Sequence, residues 1–240
     1  MDYTEYINST FDNNIFQCDD VIGDNKCFYR SIVNMLLWRS NLDKLNSAKK
    51  LISSNKFRTL NNYSMIYDES YSPYLEKYND GFEFQTEAVT HLENRIIKWV
   101  DKNKNNKYEP FGSYIYDIVR MTHDISIEEY INRELKTSDL WGGLIEQIAI
   151  ANIYKCPIII FRPTTYNFRS NKINEGIIKD NLPNKNVRFQ ITQILHCNKE
   201  TNLPLYLLWK RYGNGIDHYM SLYIKDLSNE SNILSNCISS

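Results

Sequence analysis

At 240 residues the chain can bury one continuous core, either as one large domain or as one domain with elaborations. Its 28 Lys plus Arg against 29 Asp plus Glu leave a formal net charge of -1, and the basic residues are scattered, so charge gives no support to nucleic-acid binding. The start MDYTEYINSTFDNN has neither the basic opening nor the apolar core of a signal peptide, and no run approaches the ~18 apolar residues of a membrane span.

In chain order, residues 1–14 read as a polar arm, and Ile15 to Cys18 as a short extended piece. The run Gly23-Asp24-Asn25-Lys26 is turn-forming, and Phe28, Ile32, Val33, Met35, Leu36 and Leu37 follow with helical spacing, which predicts a helix from Cys27 to about Arg39-Ser40. Leu42 to Ser53 reads as a polar helical stretch, and Asn55 to Gly81 as an irregular surface elaboration rich in Asn, Tyr and Ser. Thr86 to Lys102 is the clearest amphipathic helix, with Val89, Leu92, Ile96, Trp99 and Val100 on one face and Glu87, Glu93, Arg95 and Lys98 between them. A solvated loop, 101–107, follows.

Ser126-Ile127-Glu128-Glu129 is a capping-box signature for a helix through Leu135, and Gly142-Gly143 opens another whose apolar positions include Leu144, Ile148 and Ile153. Strands come late. Cys156 to Arg162 has the continuous apolar centre of a central strand, Val187 to Leu195 alternates, Leu203 to Trp209 is largely apolar, and His218 opens a run through Ile224. Residues 170–186 read as a polar loop and 226–240 as a loose tail, leaving 15–225 as the body of the domain. Helices early and strands late predict an α+β layout, a small mixed sheet flanked by helices.

Five cysteines, Cys18, Cys27, Cys156, Cys197 and Cys237, are odd in number, widely spaced and without a Cys-x-x-Cys pair. Neither a disulfide framework nor a zinc site is expected, and no cofactor or other metal. His196 and Cys197 are neighbours whose side chains would point to opposite faces of a strand. The reading is of a protein of the reducing cytoplasm. Abundant Asn, Lys, Ile and Tyr suggest an AT-rich genome such as that of a virus, an intracellular bacterium or a protozoan, which for the first two would make the compartment the host-cell cytosol.

Two segments carry chemistry. Cys27 falls in the first turn of its helix, where unpaired N–H groups and the helix dipole favour a thiolate, the nucleophilic form. His218 opens a strand, a backbone rigid enough to hold an imidazole against that sulfur. Taken alone, Cys27 could simply pack beside Phe28, and His218 could be structural.

These residues resemble the ovarian-tumour (OTU) class of cysteine deubiquitinases, whose first motif reads Asp-Gly-Asn-Cys-Leu-Phe-Arg-Ser-Ile and whose last reads His-Tyr-Asp-Ser. Asp24, Cys27, Arg30, Ser31 and Ile32 match the first, and His218, Tyr219 and Ser221 the last. Trp141-Gly142-Gly143, Glu146 and Ala149, with the apolar run Ile158 to Phe161, are similar to the segment between. The resemblance implies a papain-like cysteine-protease fold and a thiol isopeptidase acting on ubiquitin or polyubiquitin, with ubiquitin-like modifiers as a further class of partner. It implies that Cys27 is the nucleophile, that His218 is the general base, and that Asp24 shapes the oxyanion loop. Asp24 also reads as a plain N-cap, its carboxylate bonding the N–H of Lys26 or Cys27. The oxyanion donors are expected in the turn 24–26 and at the N–H of Cys27. Trp141-Gly142-Gly143 would support the wall of the site by packing. Arg30 and Ser31 read as structural.

The chain departs from the family at three places: Asn25 stands for the usual Gly, Lys26 for the usual Asn, and Met220 where many members carry the Asp or Asn that orients the histidine. A thioether cannot orient an imidazole, and strand alternation turns Asp217 away from His218. Some branches of the family take the acid from upstream of the cysteine, and Asp19, slightly preferred, and Asp20 are the nearest upstream carboxylates. Two rival readings are an inactive ubiquitin-binding module of the same fold, and a papain-like hydrolase or acyltransferase acting on another amide.

Overall fold

Among the described residues, branched and aromatic runs in the second half of the chain build five strands of a seven-stranded mixed sheet, short segments near the start add the other two, and helices between residues 27 and 154 flank it. The computed structural model describes residues 10–12, 15–19, 21, 23–40, 82–135, 142–167, 172–174, 187–211 and 217–224. The elements are β1 (Thr10–Asp12), β2 (Phe16–Asp19), α1 (Cys27–Ser40), α2 (Phe82–Asn103), β3 (Lys107–Tyr108), β4 (Ser113–Tyr114), α3 (Ile115–His123), α4 (Ile127–Glu129, continuing as π-helix over Tyr130–Leu135), α5 (Leu144–Tyr154), β5 (Ile158–Asn167), β6 (Lys172–Asn174), β7 (Val187–Leu195), β8 (Leu205–Arg211) and β9 (Asp217–Ile224).

Strand order across the sheet is β1-β7-β5-β8-β9-β2, with β6 on the far part of β5. Among the described residues only the β5–β8 pair is parallel, and a bulge interrupts β5–β7 between Ile160 and Phe161. Strand β5 is central, which is why Ile158, Ile159, Ile160 and Phe161 can be apolar on both faces: all four are buried.

Helix α1 lies on β9 and β8, and α2 packs on α1 and α5. Ser221 of β9 donates its hydroxyl proton to the Ser31 carbonyl of α1 at 3.1 Å, which fixes how the helix sits on that strand. On the apolar face of α2, Val89, Leu92, Ile96 and Val100 are buried and Trp99 is partly buried. Ser126 caps α4 as its sequence predicts, its hydroxyl accepting from the Glu129 N–H at 3.1 Å. Gly143 is the N-cap of α5.

Several sequence expectations are met at the level of elements. The predicted Cys27 helix, the 86–102 helix, the 187–195 strand and the strand opening near His218 all form. Within the stretch read as a polar arm, residues 10–12 pair with β7, Thr10 opposite Gln190. Residues 101–103, read as loop, finish α2, and β5 and β8 each run past their expected ends, to Asn167 and Arg211. The stretches 42–53, 55–81 and 226–240 lie outside the described residues, as does most of 170–186. Among the described residues no helix is long and apolar enough to cross a membrane.

Candidate active site

Cys27 is the first residue of α1, and the turn before it is organised by Asp24. The Asp24 carboxylate accepts the Lys26 N–H at 3.0 Å, while its backbone carbonyl accepts the Cys27 N–H at 3.1 Å and closes the turn. The Lys26 carbonyl then accepts the Arg30 N–H at 2.9 Å, the first bond of the helix. Asp24 is held in turn by Arg30, whose Nε lies 3.2 and 3.1 Å from the two carboxylate oxygens and whose Nη2 lies 2.8 Å from Oδ2. Burial on its own would raise the Asp24 carboxyl, but the Arg30 hydrogen bond, the Lys26 N–H and the Arg30 charge outweigh it, so the group titrates below its ordinary value of 3.8. The carboxylate bond to the Lys26 N–H is the contact that the N-cap reading of Asp24 expects, and it lies in the turn just ahead of α1.

Lys26 carries a second tether. Its Nζ lies 2.9 Å from Oε1 and 3.1 Å from Oε2 of Glu93, at the middle of α2. Glu93 reads from sequence only as one of the polar residues between the apolar positions of this helix, and no spacing in the chain links it to a turn 67 residues earlier. Tyr29 lies close enough that burial, with the charges of Glu146 and Glu93 behind it, pushes its hydroxyl far above the usual phenol range.

The two motifs meet through their neighbours. A Cβ built on Gly23 would lie 4.0 Å from His218 Nδ1, so the chain entering the Cys27 turn passes against the imidazole. On the other side, the rings of Phe28 and Tyr219, each the residue after its motif's key group, stack edge to face with centroids 5.3 Å apart. Burial, then the charges of Asp217 and Cys27, push the Tyr219 hydroxyl up to about 12, which keeps it protonated and places it within the field of the thiol. Cys27 is 2% exposed and His218 4%, and the Cys27 thiol is free.

Gly142 completes the wall. Its backbone lies so close to Phe28 that an added Cβ would stand 1.8 Å from Cδ1 of the ring. The Gln147 amide donates to the Gly142 carbonyl at 3.2 Å and accepts from Gln193 of β7 at 3.1 Å, which ties this loop to the sheet. Beyond Tyr219 opens a cleft of about 300 Å³ lined in part by Arg162, Gln193 and Trp209. Trp141 lies outside the described residues.

On the His218 strand, Met220 occupies the next position on the same face, and the Cys18 thiol of β2 lies 3.9 Å from its sulfur. Asp19 pairs in register with Ser221, and Asp20 lies outside the described residues. Among the described residues no group of three or more His, Cys, Asp or Glu is placed to hold a metal ion.

A buried thiol thus opens α1, which lies on the strand carrying the buried His218, and the two segments touch through Gly23 and through the Phe28–Tyr219 ring pair. A family model described as OTU-like cysteine protease matches residues 22–219, and the chain belongs to that family. Among solved structures it is similar to the OTU domain of OTUD1 (12% identity, TM-score 0.44, 88% of this chain and 91% of that one). It is also similar to the Hazara virus OTU bound to ubiquitin (13%, 0.42, 93% and 87%) and to ceOTUB1 in a ubiquitin aldehyde UBC13~Ub complex (15%, 0.44, 87% and 79%). No curated protein matches the chain in sequence.

Proposed function

We propose that the chain is a deubiquitinase, a thiol isopeptidase that releases ubiquitin from lysine side chains or from polyubiquitin. The observation that carries the reading is the meeting of the Cys27 turn and the His218 strand, with Gly23 against the imidazole and Phe28 against Tyr219. Ubiquitin as the modifier rests on membership of the family.

In this mechanism His218 takes the Cys27 proton, and the sulfur attacks the isopeptide carbonyl to form a tetrahedral oxyanion. The C–N bond then breaks as His218 hands that proton to the departing lysine amine. A thioester remains, and water, deprotonated by His218, hydrolyses it and regenerates the thiol. With the Lys26 N–H committed to the Asp24 carboxylate, the oxyanion is received by the N–H groups of Asn25 and of Cys27, the latter shared with the Asp24 carbonyl. Asp19 or Asp20 orients His218, in place of an acid at position 220.

The test is covalent capture by a ubiquitin whose C-terminus carries an electrophile. Capture that disappears in Cys27→Ala supports the reading. Tight binding without capture would instead favour the inactive module that Met220 suggests, and neither binding nor capture would favour a hydrolase for another amide.

A further inference from the structure

We propose that Glu93 is a positioning residue for the oxyanion turn, acting through Lys26. The inference rests on the reading of Cys27 as nucleophile.

The turn 24–27 is clamped at two points. Arg30 grips Asp24 from within α1, a local bond between residues of one segment. Glu93 grips Lys26 from a different element, and that element is rigid, because α2 is anchored by four fully buried side chains on its inner face. The ion pair is largely shielded, with the Lys26 side chain 23% exposed and that of Glu93 17%, and both carboxylate oxygens engage the ammonium.

Lys26 is a decisive residue to hold. Its N–H is bonded inside the turn, its carbonyl starts the helix, and the next peptide carries the Cys27 N–H. Fixing its side chain therefore fixes the plane from which that N–H is presented. Oxyanion donors act through preorganisation, so a looser turn lowers the rate of acyl transfer without weakening the thiol as a nucleophile.

This tethering role differs in sign from a purely electrostatic one. A carboxylate near a developing oxyanion repels it, so if Glu93 acted only through its charge, neutralising it would speed the reaction. If it holds the turn, neutralising it slows the reaction.

The experiment uses the full chain as wild type, Glu93→Gln, Lys26→Met, Lys26→Arg and Cys27→Ala. The first readout is acylation by p-nitrophenyl acetate, in which the Cys27 sulfur bonds to the acetyl carbon through an oxyanion and p-nitrophenolate leaves. The second is alkylation of Cys27 by iodoacetamide, followed by peptide mass spectrometry; displacement of iodide at a saturated carbon forms no oxyanion. Glu93→Gln and Lys26→Met should lower acylation on the order of tenfold, less than the loss of a whole oxyanion donor, with alkylation within about twofold of wild type. Lys26→Arg, which can still reach Glu93, should retain most of the acylation rate. Acylation unchanged or faster in Glu93→Gln overturns the proposal, as does a parallel loss of acylation and alkylation, which would mark a merely structural role. A wild type that acylates at Cys27 but leaves ubiquitin conjugates intact sinks the deubiquitinase reading and leaves this inference standing. A wild type no faster than Cys27→Ala overturns it together with the nucleophile assignment.

Discussion

Gly142→Ala is a small substitution with a large expected effect. The new Cβ would stand 1.8 Å from Cδ1, 2.3 Å from Cγ and 2.5 Å from Cε1 of Phe28, where 3.0 Å is the practical limit, so ring or loop must retreat by roughly 1.2 Å. Phe28 has little room to move, since it is 1% exposed and packs edge-on against both Tyr29 and Tyr219, with centroids 5.4 and 5.3 Å away. Overpacking of this kind costs about 1–3 kcal/mol. For a domain of this length that corresponds to a fall in Tm of about 3–10 °C. Because Phe28 is bonded to Cys27 and its ring bears on Tyr219, the same shift moves thiol and imidazole apart, and a displacement near 1 Å can cost on the order of a hundredfold in rate. Thermal melts and turnover of a di-ubiquitin substrate measure the two effects. Adding Phe28→Leu, which removes the clashing ring atoms, should recover much of the stability. A Gly142→Ala chain with wild-type Tm and turnover would refute the reasoning, and so would a double variant no more stable than the single one.

Further outcomes follow from the same geometry. Cys27→Ala should abolish cleavage while preserving the fold, and Ser at Cys18, Cys156, Cys197 or Cys237 should leave most activity, as followed on di-ubiquitin. His218→Ala should lose on the order of a thousandfold or more in kcat, and near-normal turnover would move the base elsewhere. Of Asp19→Asn and Asp20→Asn, one should lower kcat with little change in KM and the other should be nearly silent; full activity in the double variant would rule both out as the orienting acid. Because the Asp24 carboxyl titrates below 3.8 in the folded chain, its contribution to stability is complete above that value and is lost as pH falls through the lowered one. Tm followed from about pH 6 down to about pH 2 should therefore fall more steeply in the wild type than in Asp24→Asn, while neutral-pH activity profiles keep their shape.

What could be read from the sequence depended on whether an element's cause is local. Helix α2 declares itself through residues 89, 92, 96 and 100, and the Cys27 helix through a turn signal beside an apolar period, because one-sided burial writes its period into the chain. Strand β1 does not, since Thr10–Asp12 join the sheet edge through backbone bonds that make no demand on side-chain polarity. The two-residue strands β3 and β4 are too short to carry a pattern. Helix α3, over which the sequence reading makes no assignment, does bury a one-sided set, Ile115, Ile118 and Val119, but it runs for only nine residues. At the site, Cys27, Asp24 and His218 were named because their motifs are contiguous. Glu93 was not, nor was the approach of Gly142 to Phe28, because both are fixed by tertiary packing between segments 67 and more than a hundred residues apart.

Strand β9 has a bearing on when the protein becomes reactive. Cys27 opens α1, whereas His218 belongs to a strand made about 190 residues later, and β2, which leads into the Cys27 turn, pairs with that same late strand. At ribosomal speeds of about 5–20 residues per second, the nascent chain would carry its sulfur for roughly 10–40 s before His218 is made. Until β9 docks, α1 and β2 lack the strand they pack on and pair with, and the proposed nucleophile lacks its proposed base. On the proposed mechanism, chemical competence therefore waits for completion of the sheet, and a ribosome-bound intermediate should be inert toward conjugates around it.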